Sequence, residues 1–131
     1  MKERLKLKFK SLMDLPNFDF SKEEVSSLEE LIFACLERES EADFINLEKS
    51  IDVAFILSEE VNLGKVSILG LLLHTLITLK VFQNNEIEAS FGMQVESIVK
   101  GLQKASELNS KEQSYESENF RKHWLKIFAL L

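Results

Sequence analysis

Two histidines and one cysteine are the side chains of this sequence best suited to metal binding or nucleophilic catalysis. His74 lies inside the apolar run LLLHTLITLK, residues 71–80, and His123 lies near the C-terminus. A metal site built of histidine and carboxylate needs three or more ligands that converge. The sequence has no His-x-x-x-His and no Cys pair, and the nearest following carboxylates, Glu86 and Glu88, come after the apolar run. This spacing alone predicts that His74 is a core histidine, hydrogen-bonded to a carbonyl or hydroxyl.

Nucleophilic and phosphate-binding motifs are not evident either. Cys35 falls on the apolar face of a predicted helix without the strand-turn-helix context that exposes a nucleophile, so we interpret it as a buried structural thiol. The four glycines are spread along the chain and do not form a phosphate-binding loop. We predict that they lie at helix ends and at points of close packing: Gly64, Gly70, Gly92 and Gly101.

Length and composition indicate one soluble domain. The chain has 131 residues, 45% hydrophobic, with a net charge of −6. This charge argues against binding to nucleic acid or to an anionic membrane through bulk attraction. The basic start, MKERLKLKFK, has no apolar core and is not expected to be a signal peptide, and the apolar run 66–82 is too short and too polar for a membrane span. A single cysteine fits a reducing compartment, so we expect a cytoplasmic protein.

The elements that must position these residues are helices. The chain holds one Pro and four Gly, and no segment alternates as a strand would. Pro16 separates an N-terminal amphipathic extension, residues 1–20, from a helical domain, residues 21–131. A capping box, Ser21 with Glu24, predicts the first helix of that domain. We predict helices over 21–39, 47–61, 64–81, 84–92, 93–107 and 111–131, with 64–81 enclosed by the others because it is apolar nearly all round.

The predicted last helix ends without a cap. The segment WLKIFALL is apolar to its final residue, where helices usually close with Gly or a polar turn. Either the chain is cut inside a helix or these residues are buried against something else. We expect Phe128, Leu130 and Leu131 to be covered by self-association, as a two-fold homodimer through the C-terminal helix.

Several motifs, in matching order and spacing, carry a family resemblance. FGMQVESIVKGLQKASEL, residues 91–108, followed by SENFRK, residues 117–122, resembles the N-terminal hydrolase region of the long RelA/SpoT proteins, which make and break guanosine tetra- and pentaphosphate. IDVAFIL, ILGLLLHT and NEIEASFG resemble earlier motifs of the same region. The resemblance implies an HD-domain-like irregular bundle of about six or seven helices, truncated at its C-terminal end relative to the family.

The family's hydrolase holds manganese with a His, an adjacent His–Asp pair and a later Asp, and an E-D pair assists the attacking water. Carried onto this sequence, the first His falls at Lys49, the His–Asp pair reads His74–Thr75, and the E-D pair falls at Thr78 and Leu79. The family's basic nucleotide loop falls at RESEAD, residues 38–43, which is mostly acidic. The later Asp would lie beyond residue 131. Because a hard cation needs several ligands, we expect no bound metal and interpret His74 as a remnant.

The same resemblance singles out residues near the C-terminus. We expect Lys104, Glu118, Asn119, Arg121 and Lys122 to be a structural brace for a nucleotide pocket. The simpler interpretation is a helix with Phe120 and Trp124 in the core and its charges outside.

Three functions follow as hypotheses. The first is a degenerate, non-hydrolytic RelA/SpoT-type domain with a regulatory or structural role in the stringent response. A synthetase domain of a parent protein and a guanine nucleotide would be its partners. The second is an active metal-dependent 3′-pyrophosphohydrolase of guanosine tetra- or pentaphosphate with unconventional ligands. The third is a free-standing helical protein-interaction module.

Overall fold

The computed structural model describes residues 1–16, 18–60 and 64–108, and in this part the chain forms six α-helices and no strand. This confirms the predicted all-α class. None of these helices is long and apolar enough to span a membrane. The predicted helix over 111–131 lies outside the described residues. In chain order the helices are α1 (Lys2–Met13), α2 (Lys22–Leu36), α3 (Glu41–Glu60), α4 (Lys65–Thr78), α5 (Ile87–Phe91) and α6 (Met93–Leu108), with a 3₁₀ turn at Asn84–Glu86 before α5.

The start of α2 is the predicted capping box. The Glu24 amide donates to the Ser21 hydroxyl at 3.1 Å, and the Ser21 amide donates to the Glu24 carboxylate at 2.8 Å. The helix ends at Leu36, earlier than the predicted residue 39, because the Glu39 backbone turns into the left-handed region at φ 56°. A residue in that conformation cannot continue a right-handed helix.

The start of α3 was predicted six residues too late. The helix begins at Glu41, where the Ser40 hydroxyl accepts from the Asp43 amide at 3.3 Å and so caps the first turn. The extra turns carry the buried side chain of Phe44 into the core. Ser40 stands three residues before Asp43, much as Ser21 stands three residues before Glu24. A helix start was predicted from the sequence at Ser21 but not at Ser40.

The helix α4 is the centre of the bundle. Every residue from Ile68 to Leu76 is buried, which confirms that this segment is enclosed. It packs on α3 and on α6. The close approach to α6 depends on Gly70, because a Cβ there would lie 3.0 Å from the Cβ of Ile98 and would overlap its Cγ2. The helix ends at Thr78, before the predicted residue 81.

The N-terminal helix α1 shares this core. Its apolar side chains are buried, and the helix packs on α3: Leu5, Phe9, Leu12 and Met13. Charged pairs flank the apolar contact. Arg4 donates two hydrogen bonds to Glu48, at 2.6 and 3.0 Å, and Lys8 donates to Asp52 at 2.9 Å. The spacing of both pairs along the two helices shows that α1 and α3 run parallel.

The Gly70–Ile98 contact generates a stability prediction. Gly70→Ala should lower the free energy of unfolding by about 1–3 kcal/mol, because the overlap outweighs the gain of about 1 kcal/mol in helix propensity. Urea unfolding measures the change. In an Ile98→Ala background the cost of Gly70→Ala should fall below about 1 kcal/mol, since the overlapping methyl is gone. Equal costs in both backgrounds would contradict the close-packing role of Gly70.

The α1–α3 ion pairs predict loss of stability in acid. The hydrogen bond from Arg4 is the largest cause that holds the pKa of Glu48 below its ordinary value of 4.5, and Lys8 adds to it against the opposing effect of burial. Because the folded pKa is depressed, this stabilisation is complete above about pH 4.5 and is lost as the pH falls through the folded pKa. Urea unfolding at pH 7 and pH 3 should show a smaller loss in Glu48→Gln than in the parent chain.

A matched control for the acid experiment lies on α2. Glu30 is exposed, and Glu30→Gln should lose as much stability in acid as the parent chain does. An unchanged pH dependence in Glu48→Gln would show that the α1–α3 pairs do not contribute.

Candidate functional site

The positions that the resemblance assigns to the hydrolase site lie on two neighbouring helices. Lys49 is a half-buried residue of α3, and His74 and Thr75 are buried in the middle of α4. The two helices meet where the Thr75 hydroxyl lies 2.8 Å from the hydroxyl of Ser50. Residues 25 positions apart in sequence are therefore brought to one contact, with Lys49 directly beside it in the chain.

Hydroxyl groups in this region bond to the protein itself. The Thr75 hydroxyl is also within 3.2 Å of the Leu71 carbonyl one turn earlier, and Ser50 is completely buried. The Thr78 hydroxyl donates to the His74 carbonyl at 2.9 Å. These are bonds within and between helices, and those of Thr75 and Ser50 satisfy hydroxyl groups that would otherwise be costly to bury.

These residues do not fit a manganese ion. In the described part of the chain, no group of three or more His, Cys, Asp or Glu side chains is arranged to hold a metal. Thr75 and Thr78 offer neutral hydroxyls, whereas a hard divalent cation takes carboxylates and other strong oxygen donors in place of its hydration shell. Lys49 adds a positive charge that would repel the ion. The expectation of no cofactor stays a prediction.

Residues 38–43, the position at which the family's nucleotide loop falls, make a contact that the sequence does not predict. The Arg38 guanidinium donates to the Leu79 carbonyl through one nitrogen and to the Lys80 carbonyl, at 2.7 Å, through another. Its first nitrogen is also 3.8 Å from the Asp43 carboxylate. The cation of RESEAD is therefore bound to the end of α4. This contact could not be predicted from the sequence, because a hydrogen bond from a side chain to a distant backbone carbonyl produces no periodic pattern of residues.

Cys35 is fully buried in α2, and burial raises the pKa of its thiol. A buried thiol with a raised pKa is a poor nucleophile, which agrees with a structural role.

Only one residue of the expected nucleotide-pocket brace lies within the described part of the chain. Lys104 is exposed on α6, whereas Glu118, Asn119, Arg121 and Lys122, together with His123, lie outside the described part.

Comparisons of this chain with protein-family models, with curated proteins and with solved structures find no significant match. The family resemblance therefore depends on the sequence motifs alone.

The Ser50–Thr75 contact predicts a coupled pair. Thr75→Val should lower the free energy of unfolding by about 1–3 kcal/mol, because the Ser50 hydroxyl stays buried after its partner is removed. Adding Ser50→Ala should cost less than the sum of the two single changes, because no buried hydroxyl is then left over. Urea unfolding of the double-mutant cycle measures the coupling.

Thr78→Val is the control for this cycle, since Thr78 is exposed and bonds only within its own helix in the described contacts. It should change stability by no more than about 0.5 kcal/mol. Additive effects of the Thr75 and Ser50 substitutions would mean that the two hydroxyls do not depend on each other.

Proposed function

We propose that this chain is a degenerate, non-hydrolytic HD domain of the RelA/SpoT type, with a regulatory or structural role in the stringent response. The order of its motifs supports this assignment. The packing of α3 on α4 is compatible with it, because Lys49 is the neighbour in sequence of Ser50, and Ser50 contacts Thr75 at 2.8 Å.

One observation carries the non-hydrolytic part of the proposal, and it is the buried contact of Thr75 with Ser50 at 2.8 Å. The resemblance assigns a metal-binding Asp to position 75. A carboxylate there would supply a negative charge and a strong oxygen ligand, whereas a hydroxyl supplies neither. The Thr75 hydroxyl is also occupied by Ser50 and by the Leu71 carbonyl. Position 75 therefore has the surroundings of a packed core, in which its hydroxyl bonds to other protein groups.

The catalytic carboxylates are replaced in the same way. Thr78 bonds to its own helix, and Leu79 offers an aliphatic side chain where the resemblance assigns an acid. Neither side chain can orient or deprotonate a water molecule as a carboxylate does. Hydrolysis by this chain would need all of its missing ligands and its catalytic acid to come from outside the described residues.

The role left for such a domain is an interaction within a larger assembly. A synthetase domain of a parent protein is the proposed partner, with a guanine nucleotide as a second ligand and a homodimer through residues 111–131 as the proposed assembly. The cytoplasm is the compartment that suits this role. A free-standing interaction module would share the fold but would have no synthetase region after it.

The metal experiment tests the non-hydrolytic proposal. The purified chain, dialysed against excess Mn²⁺ and then desalted, should retain much less than one equivalent of manganese by elemental analysis. It should release no pyrophosphate from guanosine tetraphosphate, because the residues at the lost positions cannot replace the hydration shell of the ion. His74→Ala is the matched control and should behave as the parent chain does.

Stoichiometric manganese that disappears in His74→Ala would contradict the proposal and favour the active hydrolase. The third hypothesis is distinguished by the reading frame after the codon for Leu131. A synthetase region there supports the regulatory domain, and a stop codon favours the free-standing module.

A further inference from the structure

Arg38 joins the ends of two helices that are distant in sequence. It stands two residues after the end of α2, and its guanidinium donates to the carbonyls of Leu79 and Lys80 just after the end of α4. Carbonyls at a helix C-terminus carry partial negative charge, so a cation placed there is favourable. Arg38 therefore caps the C-terminus of α4, although it belongs to the connection between α2 and α3.

The turn that Arg38 closes has the geometry of a Schellman motif. The Val81 amide donates to the Leu76 carbonyl, and the Lys80 amide donates to the Ile77 carbonyl, both at 2.9 Å. Lys80 occupies the left-handed position at φ 62°, where glycine is the usual residue. A side chain with a Cβ is disfavoured in that conformation, so the turn needs other contacts to hold it.

Arg38 supplies contacts of that kind. The two amide bonds of the motif satisfy the carbonyls of Leu76 and Ile77, and the following carbonyls of Leu79 and Lys80 bond to the guanidinium. A guanidinium presents its nitrogens in a planar fork, which suits two neighbouring oxygens. The bonds fix both the direction of the chain after Thr78 and the strained backbone of Lys80.

We propose that Arg38 is a latch on the C-terminal turn of α4, and that the turn Leu79–Val81 opens locally when the latch is released. The latch is a single side chain that is 38% exposed, so water can reach its bonds. The body of α4 is held separately, by buried leucines and by the Thr75–Ser50 contact. Loss of the Arg38 bonds therefore frees the turn while the bundle stays folded.

The latch also connects the turn to the rest of the molecule. The neighbouring residue Glu39, itself in the left-handed conformation, forms an ion pair with Lys2 of α1, and Arg38 faces Asp43 of α3. The α2–α3 connection thus has links to α1, α3 and the end of α4. A change in that connection would reach Thr78 and Leu79 through Arg38. This coupling does not require that the proposed function be correct.

Native-state hydrogen exchange on the full chain tests the latch. Arg38→Gln should lower the protection of the Leu79, Lys80 and Val81 amides by about ten-fold or more, because charge-assisted hydrogen bonds at a helix end are lost. The amides of Ile51 and Ala54 in α3 should keep their protection. Arg4→Gln is the matched control, because it removes another arginine that makes two hydrogen bonds and should leave the turn unchanged.

A second variant isolates the strain that the latch restrains. Lys80→Gly should raise the protection of the same three amides, because glycine adopts the left-handed conformation without cost. Combined with Arg38→Gln, it should recover part of the lost protection. An equal fall in protection throughout the bundle in Arg38→Gln, or no change at Leu79–Val81, would overturn the proposal.

Discussion

The enclosure of α4 is the constraint on which the rest of the structure depends. Its residues from Ile68 to Leu76 are all buried, with α3 and α6 packed against it. Burial of this apolar surface is the main favourable contribution to the fold. It also sets a condition, because any polar group inside the segment must find a partner among the surrounding helices. The contact with Ser50 satisfies that condition for the Thr75 hydroxyl.

Polar contacts at the two ends of α4 determine how the enclosed helix is oriented. At its start, Lys65 donates to the Glu24 carboxylate and to the Asp19 carbonyl, both at 3.0 Å, and so reaches the capping box of α2. At its end, Arg38 bonds to the last carbonyls. The burial of apolar surface does not depend on where a helix lies along its own axis, whereas a hydrogen bond requires a defined distance and angle. These two cations therefore fix the position of α4 relative to α2.

The sequence predicted the parts of the fold that depend on local patterns. The capping box at Ser21, the enclosed helix and the helix starting at Met93 follow from spacing, capping residues and glycine. Helix ends were less predictable, because Glu39 and Lys80 take the left-handed conformation without being glycine. Each has a partner distant in sequence: Arg38 bonds to the Lys80 carbonyl, and Lys2 forms an ion pair with Glu39. Pairing between Thr75 and Ser50 was equally hidden, since no local pattern connects residues on different helices.

The proposed loss of the metal offers one physical reason for the neutral residues at positions that the resemblance assigns to carboxylates. A buried carboxylate is tolerated when a bound cation balances its charge, and removal of the cation leaves that charge buried without compensation. A chain that no longer binds the metal therefore gains stability when the acid at position 75 is replaced by a neutral group that Ser50 can pair with. Imidazole can lose its charge and remain in the core. Under the proposed assignment, the lone histidine in this apolar helix is what remains of the metal site.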